Sequence, residues 1–137
     1  MLLPVLVDTN VILDISTNDE RWFDWSAGAL ERVGDESSLV INPIIYAEVS
    51  IAYKRIEDLD LALPPGTFRR EALPYEAAFL AGKAFLKYKQ LGGRSKLRPL
   101  PDFYIGAHAA VAGYRLLTRD AARYRTYFPG LDLIAPE

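Results

Sequence analysis

The spacing of apolar and polar positions changes several times along the chain, and each change marks an element. Residues 2–7 form a short, nearly unbroken apolar run that ends Val-Leu-Val, the pattern of a strand buried on both faces. Residues 11–16 start a short helix. Residues 18–37 carry apolar side chains at helical spacing behind a capping amide or acid, with Gly34 near the end, and predict a longer helix. Residues 38–42 read as a second strand. Pro43 suits the first turn of a helix. Ile45, Val49, Ala52 and Ile56 then share roughly one stripe, which predicts a continuous helix from 43 until Pro64-Pro65-Gly66 stops it. Pro74 opens a helix closed by Gly92-Gly93, and residues 92–101 form a loop, with glycine at one end and proline at the other. Asp102 stands at or near the N-cap of a helix reaching residue 114. Residues 115–118 predict a strand, 119–128 a short helix and 131–135 a last strand.

Strands alternating with helices point to a three-layer α/β fold, with helices flanking a mainly parallel central sheet. At 137 residues, with half of them apolar and a quarter charged, the chain fits one domain spanning 1–137 that buries a real core. No repeat or low-complexity tract divides it. The opening residues lack a basic segment and meet Asp8 too early for a signal peptide. The longest mostly apolar stretch, 103–114, falls far short of the ~20 residues of a membrane span. The sequence therefore predicts a cytoplasmic protein with no membrane partner. Because cysteine is absent, disulfides, thiolate metal sites and cysteine nucleophiles are excluded.

Net charge is only −2, but its distribution is uneven. No acid lies between Glu76 and Asp102, while Lys83, Lys87, Lys89, Arg94, Lys96 and Arg98 all do. Such a segment can form a local anion-binding surface, with Arg94, Lys96 and Arg98 the candidate phosphate contacts, which the resemblance given below makes RNA contacts. The plain alternative is a solvated helix face followed by a charged loop.

The acids carry the sharper signal. In parallel α/β sheets, ligands sit outside the carboxyl ends of the strands. Asp8 follows the first predicted strand and Asp120 follows the strand at 115–118. Asp102 opens the helix before that strand, and Glu48 lies one to two turns into the helix after the second. Each has an ordinary explanation as a helix cap or a solvated side chain. Together they place four carboxylates from four segments at one end of the sheet. A divalent cation would relieve their mutual repulsion, and an all-oxygen ligand set favours Mg²⁺ or Mn²⁺ over Zn²⁺. Thr9, Asn10 and Thr118 supply neutral oxygens and donors able to orient the acids. His108 is six residues beyond Asp102, so at about 100° per residue it faces away from that acid and reads as a packed or surface histidine.

In order and spacing, Val5-Leu-Val-Asp-Thr-Asn10, the glutamate after the second strand and the run 100–134 resemble the PIN-domain ribonucleases, most closely the VapC-type toxins of bacterial toxin–antitoxin pairs. The resemblance covers almost the whole chain. It implies that Asp8, Glu48, Asp102 and Asp120 are the catalytic acids holding one or two Mg²⁺ or Mn²⁺ ions, supported by Asn10 and Thr118. It also implies an endoribonuclease that cuts tRNA or another structured RNA loop, forms a homodimer and is silenced by a cognate antitoxin. Two features depart from the family pattern. Gly106 and His108 interrupt the usual run of small residues after the third acid, and Tyr124 stands where an apolar aromatic, commonly Phe, is usual.

Other classes fit less well. A haloacid-dehalogenase-type phosphatase needs a second aspartate where this chain has Asn10. A receiver-type phosphoacceptor needs a lysine late in the chain, and none follows Lys96. No glycine-rich nucleotide-binding motif is present. The remaining alternative is a catalytically inactive PIN-like module that binds RNA or protein. Retention of all four acids speaks against it.

Overall fold

The computed structural model describes residues 2–94 and 100–137. Five short strands, β1 (Val5–Val7), β2 (Leu39–Ile41), β3 (Phe68–Arg70), β4 (Arg115–Leu117) and β5 (Leu133–Ile134), form one sheet in the order β3-β2-β1-β4-β5. Every neighbouring pair is parallel, with Leu6 beside Val40 on one side and Leu116 on the other. Seven helices flank the sheet: α1 (Thr9–Ser16), α2 (Phe23–Glu36), α3 (Pro43–Ser50), α4 (Ile56–Ala62), α5 (Tyr75–Gln90), α6 (Pro101–Ala112) and α7 (Ala122–Tyr127).

Strand order dictates the layers. From β1 through β2 to β3 the chain steps in one direction across the sheet, and from β3 to β4 and β5 it returns past β1. Parallel crossovers are nearly always right-handed, so reversing direction moves the connecting helices to the other face. The helix pairings agree. α1 packs on α2 and α3, whereas α5 packs on α6 and both touch α7. The reversal lies between β1 and β4, where parallel sheets open their ligand crevice. Asp8 and Thr118 are the residues that leave those two strands.

Val5, Leu6 and Val7 are fully buried, as a central strand covered on both faces requires. Leu116, Leu117, Ile45, Phe103 and Ile105 extend the same core. Gly113, at φ +73°, ends α6 in the left-handed conformation that glycine adopts without a Cβ clash. Gly106, inside α6, has a packing role. A Cβ there would come within 2.6 Å of the Phe128 ring and 3.1 Å of Tyr124. Gly106→Ala is expected to cost about 1–3 kcal/mol despite the better helix propensity of alanine, read as a lower melting temperature.

Three local predictions need correction. Residues 43–63 are not one helix, because α3 ends at Ser50 and α4 begins at Ile56. Ile51 and Ile56 are exposed, while the buried anchors beyond the break are Leu59 and Leu63. Between α3 and α4, residues 51–55 leave the helix and the chain turns. Tyr46 then ties α4 back to α3 by donating to Asp60 at 2.8 Å. α2 begins at Phe23 rather than near Asn18, because Asp19 accepts the Arg21 and Trp22 amides in a turn of its own. Asp102 is not a cap. Leu100 holds that position without a side-chain bond, and Asp102 lies in the first turn of α6. Strand β3 was not predicted, since Phe68-Arg69-Arg70 buries only Phe68.

Candidate active site

Asp8 leaves β1 fully extended and turns directly into α1, whose N-cap it is. Its Oδ1 accepts the Thr9 amide at 2.7 Å. Its Oδ2 accepts the Thr118 hydroxyl at 2.8 Å, the Tyr124 hydroxyl at 2.8 Å and Asn10 Nδ2 at 3.3 Å. The cap and the site are thus one side chain. Asn10 fastens the loop after β4, donating to Thr118 Oγ1 and accepting the Arg119 amide through Oδ1. Thr118 Oγ1 also accepts the Asp120 amide at 3.1 Å. Glu48, half-buried on α3, accepts the Thr9 hydroxyl at 2.7 Å. Thr9, Asn10 and Thr118 therefore join Asp8, Glu48 and the Asp120 backbone into one hydrogen-bonded neighbourhood, while Asp102 bonds to Arg123.

Asp102 is the electrostatic hub. Its charge raises the pKa of both Asp8 and Glu48, and that of Asp120 raises its own. Burial is the larger cause for Asp8, whose carboxyl rises from 3.8 to about 6 against the opposing bonds from Thr118, Tyr124 and Thr9. Burial also pushes Glu48 and Asp102 up, opposed at Glu48 by the Thr9 hydroxyl and at Asp102 by Arg123. Arg123 Nη1 stands 3.5 Å from Asp102 Oδ2, with its guanidinium over the rings of Tyr88 and Phe103. Asp102, Asp120, Ala122, Arg123 and Thr126 line a shallow cavity of about 370 Å³. A larger cavity, about 720 Å³, lies at the amino ends of β2 and β3 and is lined by none of the four acids.

The donor set is what a hard divalent cation takes: carboxylate oxygens from four segments, with repulsion that a cation would cancel. Among the described residues, no three acids or histidines stand close enough to form a finished chelate. The ligand types fit Mg²⁺ or Mn²⁺, and the acids would have to draw in around the ion.

Of the predicted RNA contacts, Arg94 donates its amide to the Tyr88 hydroxyl at 3.3 Å, whereas Lys96 and Arg98 lie outside the described residues. Tyr88 itself packs against Phe103 and Tyr127. His108 is fully buried and pairs through Nδ1 with Asn42, on the far side of α6 from Asp102.

Three contributors were not predicted. Tyr124 reaches Asp8 across 116 residues. Arg123 neutralises part of the Asp102 charge. Arg119 Nε meets the buried Asp14 carboxylate at 2.8 Å, and Ser26 donates to the same oxygen. The first signal was in the sequence, where a tyrosine replaces the usual apolar aromatic. The other two depend on contacts that spacing does not reveal.

The PIN domain family model matches residues 5–129. Comparison with curated proteins finds no match. Among solved structures, a chain of VapBC2 from Rickettsia felis, bound to a DNA fragment from their promoter, superposes with a TM-score of 0.72 at 18% identity, covering 97% of this chain and 98% of the other. A chain of VapBC-1 from nontypeable Haemophilus influenzae gives 0.71 at 20% identity with the same coverage. A toxin–antitoxin complex from Klebsiella pneumoniae gives 0.70 at 23% identity, again covering 97% and 98%. At these identities the likeness is one of fold. No helix among the described residues is long and apolar enough to cross a membrane.

Proposed function

This chain belongs to the PIN-domain family, and we propose on that premise that it is a Mg²⁺- or Mn²⁺-dependent endoribonuclease and the toxin of a toxin–antitoxin pair. One observation carries the reading. Asp8, Glu48 and Asp120, from three separate segments, all stand within Coulombic reach of Asp102 at the carboxyl edge of the sheet. Grouping three further acids around the buried Asp8 without a chemical role would be costly, because neighbouring like charges disfavour one another.

Asp8 and Asp102 would hold the ion, with Glu48 and Asp120 completing the set directly or through water. The ion supplies acidification of the attacking water and charge stabilisation at the phosphodiester. The chain's own residues supply geometry. Thr118 and Asn10 hold the Asp8 carboxylate in place, and the Thr9 hydroxyl does the same for Glu48. Arg123, on the cavity wall beside Asp102, is placed to meet a phosphate oxygen. The basic run ending at Arg98 leads directly to α6 and would bind the RNA backbone. The tRNA or other structured loop expected as substrate, the cognate antitoxin and the homodimer belong to the same proposal. Tyr75, Phe79 and Leu86, exposed on α5, offer apolar surface to a second chain.

Calorimetric titration with Mn²⁺, paired with cleavage of a structured RNA, tests the reading. Uptake of Mn²⁺ and cleavage abolished by chelation are expected, and Asp102→Asn should lower the cleavage rate at least about 100-fold. The competing reading, a module that binds without cutting, draws on the open arrangement of the acids. Failure to take up Mn²⁺ would establish it in place of the nuclease.

A further inference from the structure

The acceptor oxygen of Asp8 is already crowded. A carboxylate offers roughly four lone-pair sites. Thr9 N, Asn10 Nδ2, Thr118 Oγ1 and the Tyr124 hydroxyl all donate to Asp8, three of them to Oδ2. Oδ1 is turned into the first turn of α1, where it caps the helix. Oδ2 is the oxygen on the Tyr124 side, and that phenol stands close enough to Asp102 to favour its ionised form. Tyr124 is itself buried, with 1% of its surface exposed, and Phe128 and Gly106 pack around it. Its hydroxyl therefore lies inside the acid cluster, between the two carboxylates assigned the ion. Asn10 binds Asp8 from the first turn of α1 and Thr118 from the loop after β4, but Tyr124 alone comes at it from α7.

We propose that Tyr124 is a positioning residue that contests Asp8 with the metal: its hydroxyl occupies the oxygen a divalent ion would take and must release it for the ion to bind. The phenol thus serves two states. Without metal it donates a hydrogen bond to a carboxylate that burial would otherwise leave under-solvated. With metal it gives up that bond and turns to another acceptor in the cluster. A phenylalanine at this position would leave Oδ2 open. The inference rests on the metal-dependent reading above and concerns affinity, which can be measured without RNA.

The test is calorimetric titration of the unaltered protein and Tyr124→Phe with Mn²⁺ alone, with a thermal melt of each in chelator to establish that both fold. Losing one charge-assisted competitor should lower the Mn²⁺ Kd about tenfold, and the metal-free melting temperature should fall. Equal or weaker Mn²⁺ binding by Tyr124→Phe overturns the inference while leaving the metal reading intact. Absence of uptake by either protein sinks the metal reading and the inference with it. If the variant does not fold, ¹³Cζ-tyrosine NMR of the unaltered protein decides. One tyrosine resonance should shift on adding Mg²⁺ as its hydroxyl loses the carboxylate, and no shift overturns the proposal.

Discussion

In chelator at neutral pH, Asp8→Asn is expected to melt about 5 °C above the unaltered protein, and in Mn²⁺ it is expected to cut no RNA. The sign follows from the direction of the pKa change. The Asp8 carboxyl rises from 3.8 to about 6 on folding. Between those values the folded chain keeps a proton that the unfolded chain has released. The associated stability is therefore complete below the unfolded pKa and is lost as pH rises through the folded one. At neutral pH the ionised, buried carboxylate costs about 3 kcal/mol relative to the unfolded chain, an upper figure because relaxation reduces it. Asparagine removes that cost, still caps α1, and keeps an oxygen for the Thr9 amide. Its NH₂ meets the Tyr124 hydroxyl, which can rotate to accept, but it also faces the Asn10 Nδ2 donor and a Thr118 hydroxyl that already accepts twice, so the gain stays below that cost. Two comparisons check this. Stability between pH ~5 and ~7, measured by denaturant melts in chelator, should fall more steeply in the unaltered protein than in the variant. Adding Mn²⁺ should then raise the melting temperature of the unaltered protein and leave the variant unchanged. If Asp8→Asn melts lower in chelator, or keeps the same pH slope, Asp8 is not the strained group described here.

Three of the acids, Asp8, Asp102 and Asp120, stood out in the sequence because each sits at or next to the start or end of an element. Asp8 directly follows Val5-Leu-Val7, and Asp120 follows Leu116-Leu117-Thr118, so an apolar strand and a following carboxylate mark the sheet edge without any knowledge of three-dimensional contacts. Glu48 was legible for a different reason, as a charge among apolar neighbours on a helix. What stayed hidden depends on contacts distant in sequence. The break after Ser50 left no trace in the spacing, because the stripe through Ala52 and Ile56 pointed to a helix that continued, yet Ile51 and Ile56 are exposed. Strand β3 has the polar composition of an edge strand, buries one residue and leaves no periodic trace. Arg123 reads as one more basic residue on a short helix until α6 brings Asp102 beside it. The chemistry of the cluster was visible in the chain, but the groups that tune it were not.

Arg119→Met is expected to lower the melting temperature by about 10 °C, a cost near 3 kcal/mol. Asp14 has only 2% of its side chain exposed, and its Oδ2 takes both the Arg119 Nε bond at 2.8 Å and the Ser26 hydroxyl at 2.7 Å. Removing the guanidinium leaves a buried carboxylate with one neutral donor, the circumstance in which breaking an ion pair is most destabilising. Arg119 is itself 30% exposed, so the opposite change, Asp14→Leu, strands a cation that can still reach water and should cost less. The double variant should recover most of the loss, because apolar residues of similar volume commonly replace a buried pair at little cost. A double-mutant cycle by denaturant unfolding measures the coupling. The pair also bears on the site. Arg119 separates Thr118 from Asp120, stacks on Trp22 at 5.5 Å and gives its amide to Asn10, so its side chain ties the loop carrying two site residues to α1 and α2. With the tether removed, that loop is held by Asn10 and Thr118 alone. In the double variant, RNA cleavage should therefore stay below that of the unaltered protein even after stability returns. Arg119→Met melting within about 1 °C of the unaltered protein would show that the ion pair contributes nothing to the fold, and full cleavage in the double variant would show that the loop needs no tether.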